Sequence, residues 1–209
     1  MRWKCVKRLR LPASMNLNVN EIFYSLQGEG ARQGEASIFI RLSGCNLKCD
    51  YCDTDYAEGK AMNLEQILAV IQPYPCQWII WTGGEPALQL TDEVLFFFKQ
   101  QGYLQAIESN GHRKLSGLLD YTVVSPKGLH PIYAKEMNPE VNEVRLPVEK
   151  DRDIPSIAFL PLARYYFLSP VFTRDLCSTN ANIRYCVEYI LKHPEWRLSV
   201  QMHKLIGIA

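Results

Sequence analysis

Three cysteines within eight positions constrain this chain more than any other feature of its sequence. Residues 44–54 read GCNLKCDYCDT, which spaces Cys45, Cys49 and Cys52 as C-x3-C-x2-C. Thiolates this close together are typical ligands of an iron–sulfur cluster, which usually takes four of them. Because no fourth cysteine lies nearby, a four-iron cluster held here keeps one iron with an open coordination position. An open position can bind a substrate or cofactor, which a structural metal site does not need.

Two other interpretations of the triplet stay open at this point, namely local cysteine packing and a structural zinc site completed by a histidine. The four histidines of the chain do not lie at zinc-finger spacing from the triplet. The chain has seven cysteines, an odd number, and lacks an apolar export signal. A disulfide framework is therefore not expected, and the composition favours a reducing, cytoplasmic compartment.

Composition and charge exclude several classes of protein. The chain has 209 residues, 47% of them hydrophobic and 22% charged, with a net charge of +1. This is the composition of a globular protein, without the charge excess of a general nucleic-acid binder and without an apolar run of about 18 residues that could span a membrane.

Residues 1–14 carry five basic and no acidic side chains. We expect 1–14 to be a disordered basic extension and 15–209 to form one catalytic domain.

The hydrophobic pattern alternates between strand and helix. Strands are predicted at 19–25, 38–42, 78–82, 104–108, 121–125, 143–148, 165–168 and 198–202. Helices are predicted at 64–71, 92–101 and 183–191, the first with Asn63 and Gln66 as a capping box. Strands alternating with helices indicate βα units and a mainly parallel sheet. A complete eight-fold barrel needs about 250 residues, so we predict an incomplete TIM-type βα barrel.

A second motif follows the predicted strand at 78–82. Residues 82–86 read TGGEP, and two glycines at a strand end let the backbone approach a ligand closely. Together with the cysteine triplet, this segment resembles the radical S-adenosylmethionine superfamily and its radical SAM core. The resemblance implies a 4Fe–4S cluster on Cys45, Cys49 and Cys52, with S-adenosylmethionine chelating the open iron. Reductive cleavage of the sulfonium then gives a 5′-deoxyadenosyl radical that abstracts hydrogen from the substrate.

Further segments narrow the resemblance within that superfamily. The segments LQGEG (26–30), FIRLSGC (39–45), ESNG (108–111), SPK (125–127) and HKLIGI (203–208) resemble the 7-carboxy-7-deazaguanine synthase family. This implies a ring-contracting lyase that converts 6-carboxy-5,6,7,8-tetrahydropterin to 7-carboxy-7-deazaguanine with release of ammonia, in 7-deazapurine (queuosine) biosynthesis. It also implies a requirement for Mg²⁺, an electron donor such as flavodoxin or ferredoxin, and a homodimer.

The same resemblance assigns roles to individual residues, with no catalytic side chain beyond the cluster and cofactor. Thr54 is implied as a magnesium ligand. The implied substrate-binding residues, with the pterin ring lying on the backbone of the glycine, are Leu26, Gln27, Gly28, Arg41, Thr82 and the carboxylate of Ala209. The implied cofactor-binding residues are Tyr51, Gly84, Glu85, Glu108, Asn110, Ser125, Pro126, Lys127, Ser169 and Pro170.

Two alternative functions remain. Glycyl-radical activating enzymes share the cysteine triplet but are not expected to carry Leu26–Gly28 and Arg41 as a small-molecule pocket. A non-catalytic iron–sulfur or zinc module for binding or electron transfer leaves the TGGEP segment unexplained.

Overall fold

The computed structural model describes residues 15–52, 54–127 and 131–208, so the expectation for the basic extension at 1–14 lies outside the described residues. The strands are β1 (Asn16–Leu26), β2 (Ala36–Leu42), β3 (Lys60–Asn63), β4 (Trp78–Gly83), β5 (Leu104–Ser109), β6 (Tyr121–Val124), β7 (Glu140–Val148), β8 (Leu162–Pro170) and β9 (Arg197–Leu198). The helices are α1 (Leu64–Ile71), α2 (Asp92–Gln100), α3 (Pro131–Met137), α4 (Leu176–Ile190) and α5 (Met202–Ile206).

All described strands belong to one sheet in the order β3-β1-β2-β4-β5-β6-β7-β8-β9. β1 pairs antiparallel with both β2 and β3, whereas every pair from β2 to β9 is parallel. The edge strands β3 and β9 do not pair with each other, so the barrel stays open on one side. This confirms the predicted incomplete barrel with a mainly parallel sheet. Within the described part of the chain, no helix is both long and apolar enough to cross a membrane.

The outer face of the sheet is apolar and is covered by helices. Alternate residues of β2, such as Ile38 and Ile40, are fully buried in a core shared with α1 and α2. Val144 and Leu146 of β7 pack in a second core with Cys186 of α4. Because side chains alternate between the faces of a strand, the residues between these apolar positions point into the barrel.

Local signals placed most elements correctly. The capping box before α1 is confirmed, since Asn63 Oδ1 accepts from the Gln66 amide at 2.8 Å and Gln66 Oε1 accepts from the Asn63 amide at 2.9 Å. The strand predicted at 198–202 is wrong beyond Leu198. There the chain turns away from the sheet, because the Met202 amide donates to the Gly28 carbonyl at 3.0 Å and α5 begins. The sequence reading also missed β3 and α3.

The loop between β1 and β2, residues 27–35, extends into the open side of the barrel and is called the inserted loop below. Hydrogen bonds of 2.8 Å between Gln27 and both Gly34 and Glu35 close its base. At its tip, the Gly30 amide donates to Ser199 Oγ at 2.9 Å, and the Ala31 amide donates to Glu143 Oε2 at 3.0 Å. The inserted loop therefore joins the first strands of the sheet to β7 and to the segment after β9.

Below this tip, Arg32 fills the base of the barrel. Its side chain is buried, and the guanidinium carbon lies 3.6 Å from the centre of the Trp78 ring. Glu35 pairs with it at 2.8 Å. A cation over the face of a tryptophan is attracted by the ring quadrupole, so this contact holds the loop against β4.

Two glycines of the inserted loop allow a matched test of how tightly it is packed. Both have positive φ, +73° at Gly30 and +87° at Gly34, but a Cβ on Gly30 would collide with Glu143 and Arg145, whereas one on Gly34 would meet nothing within 4 Å. Gly34→Ala should cost about 1–2 kcal/mol of the free energy of unfolding for the left-handed backbone. Gly30→Ala should cost about 1–3 kcal/mol more for the forced displacement of the buried ion pair. Anaerobic urea denaturation measures both, and equal losses would contradict the packing described here.

Candidate active site

A cavity of about 740 Å³ opens at the carboxyl ends of the parallel strands, where ligands bind in barrels and open α/β sheets. Three parts of the chain contribute to its wall: the strand ends, the loop that carries Cys45, Cys49 and Cys52 (the cysteine loop) and the inserted loop. Most residues assigned from the sequence line it, namely Leu26, Gln27, Gly28, Arg41, Cys45, Cys49, Tyr51, Cys52, Thr54, Thr82, Gly84, Glu108, Asn110, Ser125, Lys127, Ser169 and Pro170. The structure therefore brings together residues spread from position 26 to position 170.

Two assigned residues that the structure describes, Pro126 and Glu85, do not line the cavity. Ala209 lies outside the described residues. Glu85 is fully buried behind the wall, where its carboxylate accepts from Ser109 Oγ at 2.8 Å and from the Asn110 amide at 2.7 Å. Burial raises the pKa of Glu85, and these hydrogen bonds oppose the rise. Glu85 therefore ties the end of β4 to the end of β5 and holds Asn110 at the cavity.

The TGGEP segment contacts the cysteine loop directly. The Glu85 amide donates to the Gly44 carbonyl at 2.9 Å, and the Gly84 amide donates to the Leu42 carbonyl at 3.1 Å. A Cβ on Gly84 would collide with the Gly44 carbonyl and crowd Cys45. The sequence suggested that these glycines allow close approach of a ligand. The structure shows that Gly84 also allows close approach of the cysteine loop, so the two motifs are in contact.

The cysteine loop presents its three thiols to one region of the cavity. The Leu47 amide donates to Cys45 Sγ at 3.4 Å, and the Cys52 amide donates to the Cys49 carbonyl at 3.0 Å. Burial raises the pKa of the Cys45 thiol, and the nearby Glu85, Cys49 and Cys52 raise it further. Three mutually repelling thiolates gain from a shared cationic group, which an iron–sulfur cluster provides.

The donor set fits a cluster with three protein ligands. Among the described side chains, no group of three or more His, Cys, Asp or Glu is arranged to hold a single metal ion. Cys76 lies elsewhere, with its thiol donating to the Ala36 carbonyl at 3.1 Å. Cys186 is buried in the core, and burial raises its pKa to about 12. Neither can supply a fourth thiolate at the triplet.

Two side chains of the predicted cofactor pocket stand beside the cysteine loop. Lys127 Nζ donates to Ser125 Oγ at 2.8 Å, and burial lowers the pKa of Lys127 while the neighbouring Cys49 and Glu29 oppose that shift. Burial also raises the pKa of Tyr51, with Cys49 adding to the effect. The Lys127 ammonium is thus close enough to Cys49 and to Glu29 of the inserted loop to interact with both electrostatically.

Arg41 and Thr82 face each other across the β2–β4 pair on the wall of the cavity. Arg41 Nε donates to Glu21 Oε1 at 2.8 Å, and its guanidinium lies 5.8 Å from the centre of the Phe23 ring. Glu21 engages one edge of the guanidinium fork. The two Nη groups make no hydrogen bond to the described residues and can bind an anion bidentately.

The sequence reading missed the strongest electrostatic feature of the site. Arg145 of β7 is only 6% exposed and contacts three carboxylates: Glu143 at 2.6 Å, Glu108 at 3.1 Å and Glu29 at 3.1 Å. Desolvation lowers the pKa of Arg145, but the three carboxylates outweigh it and raise the pKa above its usual range. The signal available in the sequence was the alternation of β7, which places Glu143 and Arg145 on the face opposite to Val144 and Leu146.

The second missed feature is the packing of α5 on the inserted loop. A Cβ on Gly28 would collide with the imidazole of His203, so the missing side chain at Gly28 lets α5 pack against the inserted loop. Gly28 still lines the cavity, together with Gln201, His203 and Lys204 from this C-terminal segment.

Comparison with known proteins agrees with this geometry. The family model described as the radical SAM superfamily matches residues 39–149. The 7-carboxy-7-deazaguanine synthase of Bacteroides thetaiotaomicron is 41% identical over 93% of this chain and 100% of the relative. That of Haemophilus influenzae is 39% identical over 92% of this chain and 94% of the relative.

Solved structures give the same result. The crystal structure of QueE from Escherichia coli superposes with a TM-score of 0.74 at 29% identity, covering 90% of this chain and 95% of that one. The cysteine triplet, the open barrel and the identity over nearly the whole length point to one assignment. The chain belongs to the 7-carboxy-7-deazaguanine synthase family of the radical SAM superfamily.

Proposed function

We propose that the protein is a carbon–nitrogen lyase that converts 6-carboxy-5,6,7,8-tetrahydropterin to 7-carboxy-7-deazaguanine with release of ammonia, in 7-deazapurine (queuosine) biosynthesis. The single observation that carries this proposal is a cavity with the cysteine triplet on its wall and a built polar pocket around Gln27, Glu108 and Arg145. A glycyl-radical activating enzyme acts on a protein and has no need of such a pocket. A non-catalytic module has no need of the cavity.

The direct test is anaerobic incubation of the protein with 6-carboxytetrahydropterin, S-adenosylmethionine and a reductant. Mass spectrometry should detect 7-carboxy-7-deazaguanine, with an equal amount of ammonia. Cleavage of S-adenosylmethionine without any product from the pterin would contradict the proposed substrate.

The cofactor half of the cavity is assigned to the residues near the cysteine loop. Cys45, Cys49 and Cys52 would hold a 4Fe–4S cluster, and Tyr51, Gly84, Asn110, Ser125, Lys127, Ser169 and Pro170 would surround S-adenosylmethionine. When bound, the cluster and S-adenosylmethionine would supply the chemistry for abstraction of a hydrogen atom from the substrate. Ser169 Oγ supports this placement, because it is buried at the end of β8 without a hydrogen-bond partner in the described structure. A ligand at the cavity wall would satisfy it.

The substrate half lies on the side of the inserted loop. Glu108, assigned from the sequence to the cofactor, accepts from Gln27 Nε2 at 2.9 Å and so stands with the substrate residues. Burial raises the pKa of Glu108 and Arg145 opposes the rise. Both oxygens of Glu108 accept hydrogen bonds in the structure, which suits the N–H donors of an amino-pyrimidine ring. On the β2–β4 wall, Arg41 would grip the substrate carboxylate and Thr82 would hydrogen-bond the ring. The Ala209 carboxylate remains a proposed partner of the same ring.

Magnesium is assigned to the wall that carries Thr54. Mg²⁺ is a hard cation that prefers oxygen ligands and often shares them between protein and substrate. Thr54, Asp55 and Glu58 all line this wall, and Cys52 Sγ lies 3.7 Å from the Thr54 carbonyl. Thr54 would therefore place the metal between the cysteine loop and the substrate carboxylate.

In line with the family resemblance, we further propose flavodoxin or ferredoxin as the electron donor, a homodimer and a cytoplasmic location.

The cluster assignment can be tested by replacing each cysteine. In anaerobically reconstituted protein, Cys45→Ala, Cys49→Ala or Cys52→Ala should reduce iron from about four per chain to near zero and abolish the visible absorbance. Cys76→Ala and the exposed Cys177→Ala are matched controls and should retain both. A Cys49→Ala variant that keeps full iron content would overturn the assignment.

The magnesium assignment can be tested with Thr54→Val, which removes one oxygen ligand at nearly constant volume. Turnover should fall and the Mg²⁺ concentration for half-maximal activity should rise, because the metal loses a protein ligand, while cluster absorbance stays unchanged. Thr91→Val removes a hydroxyl at an exposed position outside the cavity and should leave the magnesium titration as in the wild type. The assignment fails if both variants titrate alike.

The role of Arg41 can be tested by ligand affinity without turnover. Arg41→Gln should weaken binding of pterin-6-carboxylate by about 10- to 150-fold, the range of a lost charge-assisted hydrogen bond. Binding of pterin itself, which lacks the carboxylate, should change little. Fluorescence titration of both ligands measures the difference, and an equal loss for both would show that Arg41 supports the pocket without contacting the carboxylate.

A further inference from the structure

Arg145 divides its guanidinium among three carboxylates. One edge faces Glu143, with Nε at 2.9 Å and Nη2 at 2.6 Å from Oε1. Glu143 is fully buried and is fixed from its other oxygen by the Ala31 amide and the Tyr121 hydroxyl, each at 3.0 Å. Arg145 therefore has little freedom to rotate, and its remaining N–H groups point towards the cavity in a set direction.

Those remaining donors hold Glu108. Arg145 Nη1 lies 3.1 Å from Glu108 Oε2, and Nη2 lies 3.4 Å from Oε1. Nη1 also donates to Glu29 Oε2 at 3.1 Å. A planar fork of this kind fixes the orientation of a carboxylate as well as its charge.

The contacts close into a ring. Glu108 Oε1 accepts from Gln27 Nε2 at 2.9 Å, and Gln27 Oε1 accepts from the Glu29 amide at 3.3 Å. The side chain of Glu29 returns to Arg145. The amide of Gln27 therefore has its oxygen and nitrogen assigned by their partners, and a flipped amide would lose both bonds.

We infer that Arg145 is a positioning residue that sets the ligand specificity of the pocket by fixing Glu108 and Gln27 in one hydrogen-bonding orientation. This inference deepens the proposed function and rests on it. With Arg145 in place, both oxygens of Glu108 act as hydrogen-bond acceptors, and the carboxylate that reaches the cavity accepts from a ligand N–H. Without the fork, Glu108 can rotate and Gln27 can flip, so the pocket accepts either donors or acceptors.

The experiment compares two non-reacting ligands on protein that carries its cluster. Pterin-6-carboxylate has an exocyclic amino group, and lumazine-6-carboxylate replaces it with an oxygen that can only accept. Fluorescence titration gives both dissociation constants. Wild type should prefer the pterin by about 10-fold or more, because a mismatched pair leaves a buried charged acceptor unsatisfied.

The test variant is Arg145→Lys, which keeps a positive charge opposite Glu143 but cannot span three carboxylates. Its preference for the pterin should fall to about twofold or less, with cluster absorbance and S-adenosylmethionine binding as in wild type. Arg164→Lys makes the same change at an exposed position on β8 and should keep the wild-type preference. Equal weakening of both ligands, or an unchanged preference, would show a structural role and overturn the inference.

A second variant keeps the test decisive if Arg145→Lys does not fold. Glu29→Gln weakens one link of the ring at a residue that is partly exposed, and it should lower the preference at least threefold. A Glu29→Gln protein with the wild-type preference would then overturn the inference. If the wild type binds neither ligand, the proposed substrate itself is wrong, and this outcome is distinct from a wild-type preference that survives the substitutions.

Discussion

The contact between the inserted loop and the Glu143–Arg145 pair on β7 is the interaction on which the rest of the site depends. The barrel is open between β3 and β9, so no strand pairing closes it there. Instead, the backbone amide of Ala31 reaches Glu143, and Glu29 reaches Arg145. These contacts join residues more than 110 positions apart in sequence. A polar interaction thus does the work that a hydrogen-bonded strand does in a closed barrel, and it leaves room for a ligand.

A buried ion cluster is a costly way to stabilise a fold. Desolvation of buried ions offsets much of their attraction, and apolar replacements of similar volume are often as stable. The placement of one guanidinium among three carboxylates is therefore better explained by the orientation it gives to the side chains around it than by a gain in the stability of the fold. Glu108 and Gln27 are held at the cavity by this cluster, whereas Glu85 does the same for Asn110 on the other side. In each half of the cavity, buried hydrogen bonds or ion pairs to a carboxylate therefore hold a polar side chain at the wall.

The sequence predicted what depends on neighbouring residues and missed what depends on distant ones. The capping box at Asn63, the outer apolar face of the sheet and the cysteine spacing are local patterns, and all three were readable. The alternation at 198–202 was also read locally, but docking of Met202 on Gly28 overrode it. Gly28 was interpreted through a ligand alone, while the structure also brings His203 from the other end of the chain against it. The alternation of β7 places Glu143 and Arg145 on one face of the strand, but it could not indicate the pairing of Arg145 with Glu29 and Glu108, which come from two distant segments.

The arrangement also explains why two short motifs can specify so much of the chemistry. Gly84 has no side chain because the Gly44 carbonyl lies against it, so the strand end and the cysteine loop fix each other's position. Glu85, the next residue, then connects this pair to β5 through Ser109 and Asn110. Glu108 stands directly before them and turns towards Arg145. Successive residues of β5 therefore face the cysteine side and the inserted-loop side in turn. The strand therefore fixes the position of the cysteine loop relative to the polar pocket, and this fixed arrangement would orient a cofactor and a bound ring towards each other.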